Sequence, residues 1–154
     1  MRIRDVMTTS PKCCVPEDSA TKVARIMKDM DVGIVPVVGN EQHRKVIGLV
    51  TDRDLCLEVI AEGREPQGTQ VRECMTPTLV CCTADDDLQK ALALMQDNQI
   101  RRIPVVDRDG IIEGMVSMGD VVQRAEISAS RALEILKKVS EPTDQASKPR
   151  GQRM

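Results

Sequence analysis

The chain has 154 residues, a formal net charge of −2, 41% hydrophobic and 30% charged residues, and no Phe, Tyr or Trp. That length fits one ordinary domain or two small ones, with a core built from Val, Ile, Leu, Met, Ala and Cys. Without a basic field or aromatic faces, nucleic-acid binding by phosphate neutralisation and base stacking is disfavoured, and no run approaches the ~18 apolar residues of a membrane span.

Met1-Arg2-Ile3-Arg4-Asp5 carries two basic residues with no apolar signal region behind it, so a cytoplasmic location is the expectation. Lys12 to Val15 reads as a short apolar strand, and Glu17-Asp18-Ser19 supplies acids suited to the first turn of a helix. Ala20, Val23, Ala24 and Met27 follow at helical spacing. Val32 to Val38 is a β-rich run broken by Pro36, which predicts an edge strand or an irregular one. After the polar loop Gly39 to Lys45, which holds the single histidine, His43, a third strand spans Val46 to Val50. It runs into Thr51, an N-cap residue, with Asp54 at N3 adding charge at the positive end of the helix dipole. Such a helix start also suits an anion such as phosphate. Leu55, Leu57, Val59 and Ile60 lie on that second helix, and residues 63–70 read as a linker.

The pattern then repeats. A strand over Leu79 to Thr83 precedes Asp85-Asp86-Asp87, and Leu88, Ala91, Leu92 and Met95 form the apolar side of a helix. Ile100 to Val106 carries Pro104, Asp107 to Gly110 is the loop, and Ile111 to Val116 leads into Ser117 and Asp120, with Val121 and Val122 beyond. A shift of 68 residues superimposes Met7-Thr8 on Met75-Thr76, Cys13-Cys14 on Cys81-Cys82, and Pro36-Val37-Val38 on Pro104-Val105-Val106. After a loop shorter by two residues the shift becomes 66, and Gly48, Val50, Thr51 and Asp54 meet Gly114, Val116, Ser117 and Asp120. Each copy is β-α-β-β-α, small enough to need the other, so the fold class is α/β (α+β) with two pseudo-twofold-related repeats packed as one module. The boundaries are 1–62, 71–124, and 125–154 for a C-terminal helix and tail. In that helix Ala129, Ala132, Leu133, Leu136 and Val139 make an apolar stripe that requires a surface, on its own module or on a second chain. From Glu141 to Met154 the chain is polar and expected to be disordered, with Lys148, Arg150 and Arg153 solvated.

Two ordered sets of a hydrophobic-Pro-Val-Val strand and a Gly-x-x-Thr/Ser-x-x-Asp turn resemble a tandem cystathionine-β-synthase (CBS) domain pair over roughly residues 1–124. The resemblance implies a non-catalytic, stand-alone sensor or regulatory module, dimerising with a second copy. Its ligand would be an adenine nucleotide (AMP, ADP or ATP) or S-adenosylmethionine, held in clefts between the repeats, and no catalytic cofactor is expected. It also implies that Thr51 and Asp54, and Ser117 and Asp120, hold ribose or phosphate, while a first-strand residue and those before the Pro-Val-Val strand of the other repeat grip the base. One cleft would combine Cys14, Val32 and Gly33 with Ser117 and Asp120. The other would combine Cys82, Ile100 and Arg101 with Thr51 and Asp54, and is expected to fill first. A carboxylate accepts from both ribose hydroxyls, and Arg53 and Arg102 add guanidinium contacts for phosphate.

Other readings stand beside this one. The Thr51–Asp54 turn is in any case a helix cap worth ~1 kcal/mol. A ligand-independent dimerisation scaffold would use the C-terminal helix to contact an unidentified protein. A thiol sensor would need reactive Cys14 or Cys82. Adjacent cysteines make poor disulfides, and free cysteines are commonly buried as small hydrophobes. No Cys-x-x-Cys supports a zinc site. An enzyme is the least supported reading, because no nucleophile–base pair can be identified.

Overall fold

A computed structural model describes residues 1–77 and 80–141, so the expected disorder of the tail, including Lys148, Arg150 and Arg153, lies outside the described residues. The elements are β1 (Thr8–Thr9), α1 (Ala20–Met30), β2 (Ile34–Val38), β3 (Val46–Thr51), α2 (Asp52–Leu55), β4 (Thr76–Pro77), α3 (Leu88–Asn98), β5 (Arg102–Val106), β6 (Ile112–Ser117), α4 (Met118–Arg124) and α5 (Ala129–Val139). Single 3-10 turns cover Ile3–Asp5 and Val71–Glu73, and a π-helical stretch, Cys56–Ile60, continues α2.

Two compact units result, and they do not follow the order of the repeats. One is continuous, Pro11–Thr78; the other is composite, Met1–Ser10 with Leu79–Met154. In the continuous unit the antiparallel sheet order is β2-β3-β4; in the composite unit it is β1-β6-β5. The segment that opens each repeat in sequence therefore completes the sheet of the other repeat's unit. Thr8 pairs with Met115 and Thr9 with Gly114, while Pro77 pairs with Gly48 and Thr76 with Leu49.

Glycine makes that pairing possible. A Cβ on Gly48 would sit 2.7 Å from the Thr76 carbonyl oxygen and 2.8 Å from Met75 Cε; on Gly114 it would sit 2.7 Å from the Thr8 oxygen and 3.0 Å from Met7 Sδ. The recurring Met-Thr and the recurring glycine are thus two sides of one close strand contact.

The prolines stand where their missing N–H costs nothing. Pro36 and Pro104 lie in β2 and β5, each at a sheet edge. Their carbonyls accept the N–H of Cys14 (3.0 Å) and Cys82 (3.1 Å). Here the structure differs from the expected first strands: Lys12 to Val15, and the described part of Leu79 to Thr83, touch the sheet through one parallel bridge each, Cys14 to Val37 and Cys82 to Val105. The edge strand bulges just there, between Val37 and Val38 and between Val105 and Val106, so a longer ladder does not form.

The acids before each first helix also act differently from expectation. The N-caps are Ser19 and Asp87, and the first turns of α1 and α3 hold no acid. Asp18 and Asp86 instead close the preceding turn, accepting the N–H of Val15 (3.0 Å) and Thr83 (2.8 Å), and pair with Lys22 and Lys90 one helical turn on. The Thr83 backbone N–H, with Lys90, holds the Asp86 carboxyl below its ordinary value.

Each unit has its own core. Val23, Val35, Val37, Val50 and Val71 are fully buried in the continuous unit; Ile3, Val6, Leu92, Met95, Ile103 and Ile135 are fully buried in the composite one. Ile135 and Val139 bring α5 onto α3, so the C-terminal helix finds its surface within its own unit. The face differs from the expected stripe. Leu133 and Leu136 stay exposed, at 54% and 36%, because α5 rotates Ile135 inward and the stripe's other side outward.

Candidate functional site

Each unit carries the same turn at the end of its middle strand. In the continuous unit the Thr51 hydroxyl accepts the Asp54 N–H at 3.0 Å, and Asp54 Oδ2 accepts the Thr51 N–H at 2.9 Å. In the composite unit Ser117 Oγ accepts the Asp120 N–H at 3.0 Å, and Asp120 Oδ2 accepts the Ser117 N–H at 2.9 Å. Two capping boxes result, each satisfying two otherwise orphaned donors. The hydroxyl and carboxylate are thereby fixed side by side at the start of a helix, half-buried.

The residues ahead of each proline reach the turn of their own unit. Asp52 donates its N–H to the Gly33 carbonyl at 3.0 Å, and Met118 donates to the Arg101 carbonyl at 2.8 Å. Ile34 faces Thr51 and Arg102 faces Ser117 across the strand pair. Val32 and Gly33 thus adjoin Thr51 and Asp54, while Ile100, Arg101 and Arg102 adjoin Ser117 and Asp120.

The two turns differ in charge and room. A Cβ on Gly33 would lie 3.0 Å from Asp52 Oδ2, so the Asp52 carboxylate stands over the glycine. Asp52 also accepts the Arg53 N–H at 2.8 Å. In the composite unit buried Met118 replaces Asp52, and at Gly119 an added Cβ would meet only Ser117 Oγ, at 3.5 Å. Sequence reading passed over Asp52; its signal is the acid–base–acid run Asp52-Arg53-Asp54, absent from the second copy.

Not every expected contact residue is exposed. Arg53, Arg101, Arg102 and Val32 are on the surface, whereas Cys14 and Cys82 (each 2% exposed) and Ile100 (4%) are core residues. Their sulfurs point at backbone: Cys14 Sγ to the Pro36 oxygen and Cys82 Sγ to the Pro104 oxygen, both 3.7 Å. Burial pushes both thiols up to about 12, and Cys74 up to about 11. A thiol held so far from ionisation is a poor nucleophile, which counts against a redox sensor at Cys14 or Cys82. Among the described residues no carboxylate forms an ion pair with Arg53, Arg101 or Arg102. Arg101 instead donates to Ser140 Oγ at 2.8 Å, a contact between the turn region and the end of α5 that the sequence did not reveal.

Two units of like topology, each with a capping-box turn beside a Pro-Val-Val strand, define a tandem-repeat α/β class. Residues 3–61 and 71–127 match the CBS domain, and the chain belongs to that family as a tandem pair. It is 37% identical over 133 residues to the CBS domain-containing protein YhcV of Bacillus subtilis (strain 168), covering 85% of this chain and 91% of that one. Among solved structures, the CBS domain pair of protein MJ0100 in complex with 5′-methylthioadenosine and S-adenosyl-L-methionine is similar with a TM-score of 0.71. The identity is 21%, over 80% of this chain and 94% of that one. CBSX2 in complex with AMP is similar with a TM-score of 0.69 at 24% identity, over 80% and 95%. Likeness at that identity fixes the fold. No helix among the described residues is long and apolar enough to cross a membrane.

Proposed function

We propose that the chain is a non-catalytic regulatory module that binds an adenosyl ligand, an adenine nucleotide or S-adenosylmethionine, and reports it to a protein partner. The observation that carries the reading is the pair of capping-box turns, Thr51 with Asp54 and Ser117 with Asp120. In each, a carboxylate that accepts from two vicinal ribose hydroxyls stands next to a hydroxyl and exposed guanidinium groups suited to phosphate. The AMP complex of CBSX2 and the S-adenosyl-L-methionine complex of MJ0100 support the ligand class. In this reading the module is a cytoplasmic homodimer. Ligand changes the balance between its conformations by its differential affinity for them.

Calorimetric titration with AMP, ADP, ATP and S-adenosylmethionine, on the wild type, Asp54→Ala and Asp120→Ala, tests this. At least one of the four binds the wild type, and loss of either carboxylate weakens it by about tenfold or more, the worth of hydrogen bonds to a charged group. Heat from none of the four ligands refutes the reading. The second reading, a ligand-independent scaffold, draws on the exposed Leu133 and Leu136 of α5. It predicts that none of the four shifts the Tm.

A further inference from the structure

We propose that the C-terminal helix sets the module's affinity for phosphate-bearing ligands by holding Arg101 through Ser140. The inference rests on adenosyl binding as read above and adds its regulation.

Arg101 is bonded at both ends. Its backbone carbonyl takes the N–H of Met118, the residue after Ser117, at 2.8 Å, while its guanidinium donates to Ser140 Oγ at 2.8 Å. Ser140 is not a loose end. It caps α5, donating its N–H to the carbonyls of Leu136 and Lys137 at 3.0 and 3.2 Å. α5 in turn is anchored by Ile135 and Val139, 0% and 6% exposed. The guanidinium is therefore held by a hydroxyl in a fixed place.

A hydroxyl is a weak partner for a guanidinium. A phosphate offers paired, charge-assisted bonds roughly twice as strong as neutral ones. A ligand phosphate that engages Arg101 takes it from Ser140, and the end of α5 loses its tie. By linkage, whatever frees α5 from Arg101 also favours the phosphate. Among the described residues the device occurs once. The residue equivalent to Arg101 in the first repeat is Gly33, which has no side chain, and α5 begins at Ala129, beyond the residues that match the family.

The test compares AMP with adenosine, which differ only by the phosphate, by calorimetry on Ser140→Ala, Ser140→Asp and Arg101→Gln in the full chain. Ser140 is exposed, so its variants fold. Ser140→Ala should tighten AMP about two- to tenfold, the usual worth of one hydrogen bond, and leave adenosine unchanged. Ser140→Asp, which gives Arg101 a carboxylate, should weaken AMP by at least as much. In the Arg101→Gln background Ser140→Ala should have no effect. Hydrogen exchange at Ser140 should speed up with AMP and not with adenosine. AMP binding that is equal in wild type and both Ser140 variants overturns the inference while leaving the binding reading intact, and so does an equal change for adenosine. If neither AMP nor adenosine binds the wild type, the inference is overturned, and the binding reading falls with it only if ADP, ATP and S-adenosylmethionine also give no heat.

Discussion

Replacing Gly48 by alanine tests the strand exchange that defines the two units. The new Cβ would lie 2.7 Å from the Thr76 carbonyl oxygen, against an ordinary contact of at least 3.4 Å, so β3 and β4 must part by 0.7 Å. Met75 Cε, at 2.8 Å, can swing away, but the backbone oxygen cannot. Overpacking of this kind costs about 1–3 kcal/mol. Gly114→Ala meets the Thr8 oxygen at the same 2.7 Å, and β1 is held by the buried Ile3 and Val6 beside it, so a loss of similar size is expected there. Gly119→Ala is the internal control: its Cβ meets only Ser117 Oγ at 3.5 Å, inside a helix. Alanine there should gain up to about 1 kcal/mol from helix propensity. With no aromatic residue in the chain, urea unfolding is followed by far-UV circular dichroism. A neutral Gly48→Ala, or a Gly119→Ala that loses as much as either strand variant, would refute the close-contact argument.

Two more predictions concern packing and pH. Ile135→Ala should cost about 2–5 kcal/mol by opening a cavity under α5, whereas Leu133→Ser, on the exposed side, should stay within about 0.5 kcal/mol; equal losses in thermal denaturation would show that α5 packs by the other face. Cys14 and Cys82 have folded-state values raised by burial from 9.0 to about 12, and Cys74 from 9.0 to about 11. Raised values mean that the unfolded chain ionises first. Stability is intact below pH 9 and falls as pH rises from there through 11 and 12, by about 1.4 kcal/mol per thiol at pH 10. The gap between unfolding midpoints measured at pH 8 and pH 10 should narrow in the Cys14→Ala/Cys82→Ala variant, with the Cys74 share remaining, and an unchanged gap would reject burial as the cause.

What the chain determines locally could be read without coordinates. The capping boxes at Thr51 and Ser117 need only a hydroxyl and a carboxylate three residues apart, and the repeat of Pro36 at Pro104 announces two strands that are either edges or irregular, which the sheet order resolves as edges. The helical spacing from Ala20 and from Leu88 likewise depends on neighbours a few residues away. Only the tertiary structure decided which strand each Met-Thr segment joins, because pairing is a contact between residues distant in sequence, and a glycine such as Gly48 does not show what passes over it. The same holds for Asp18 and Asp86, whose carboxylates turn back to Val15 and Thr83, and for α5, where periodicity offered a stripe through Leu133 while packing buried Ile135. Arg101 and Ser140 meet for that reason alone: the packing of Ile135 and Val139 sets where α5 ends, and its exposed C-cap hydroxyl comes within 2.8 Å of the guanidinium.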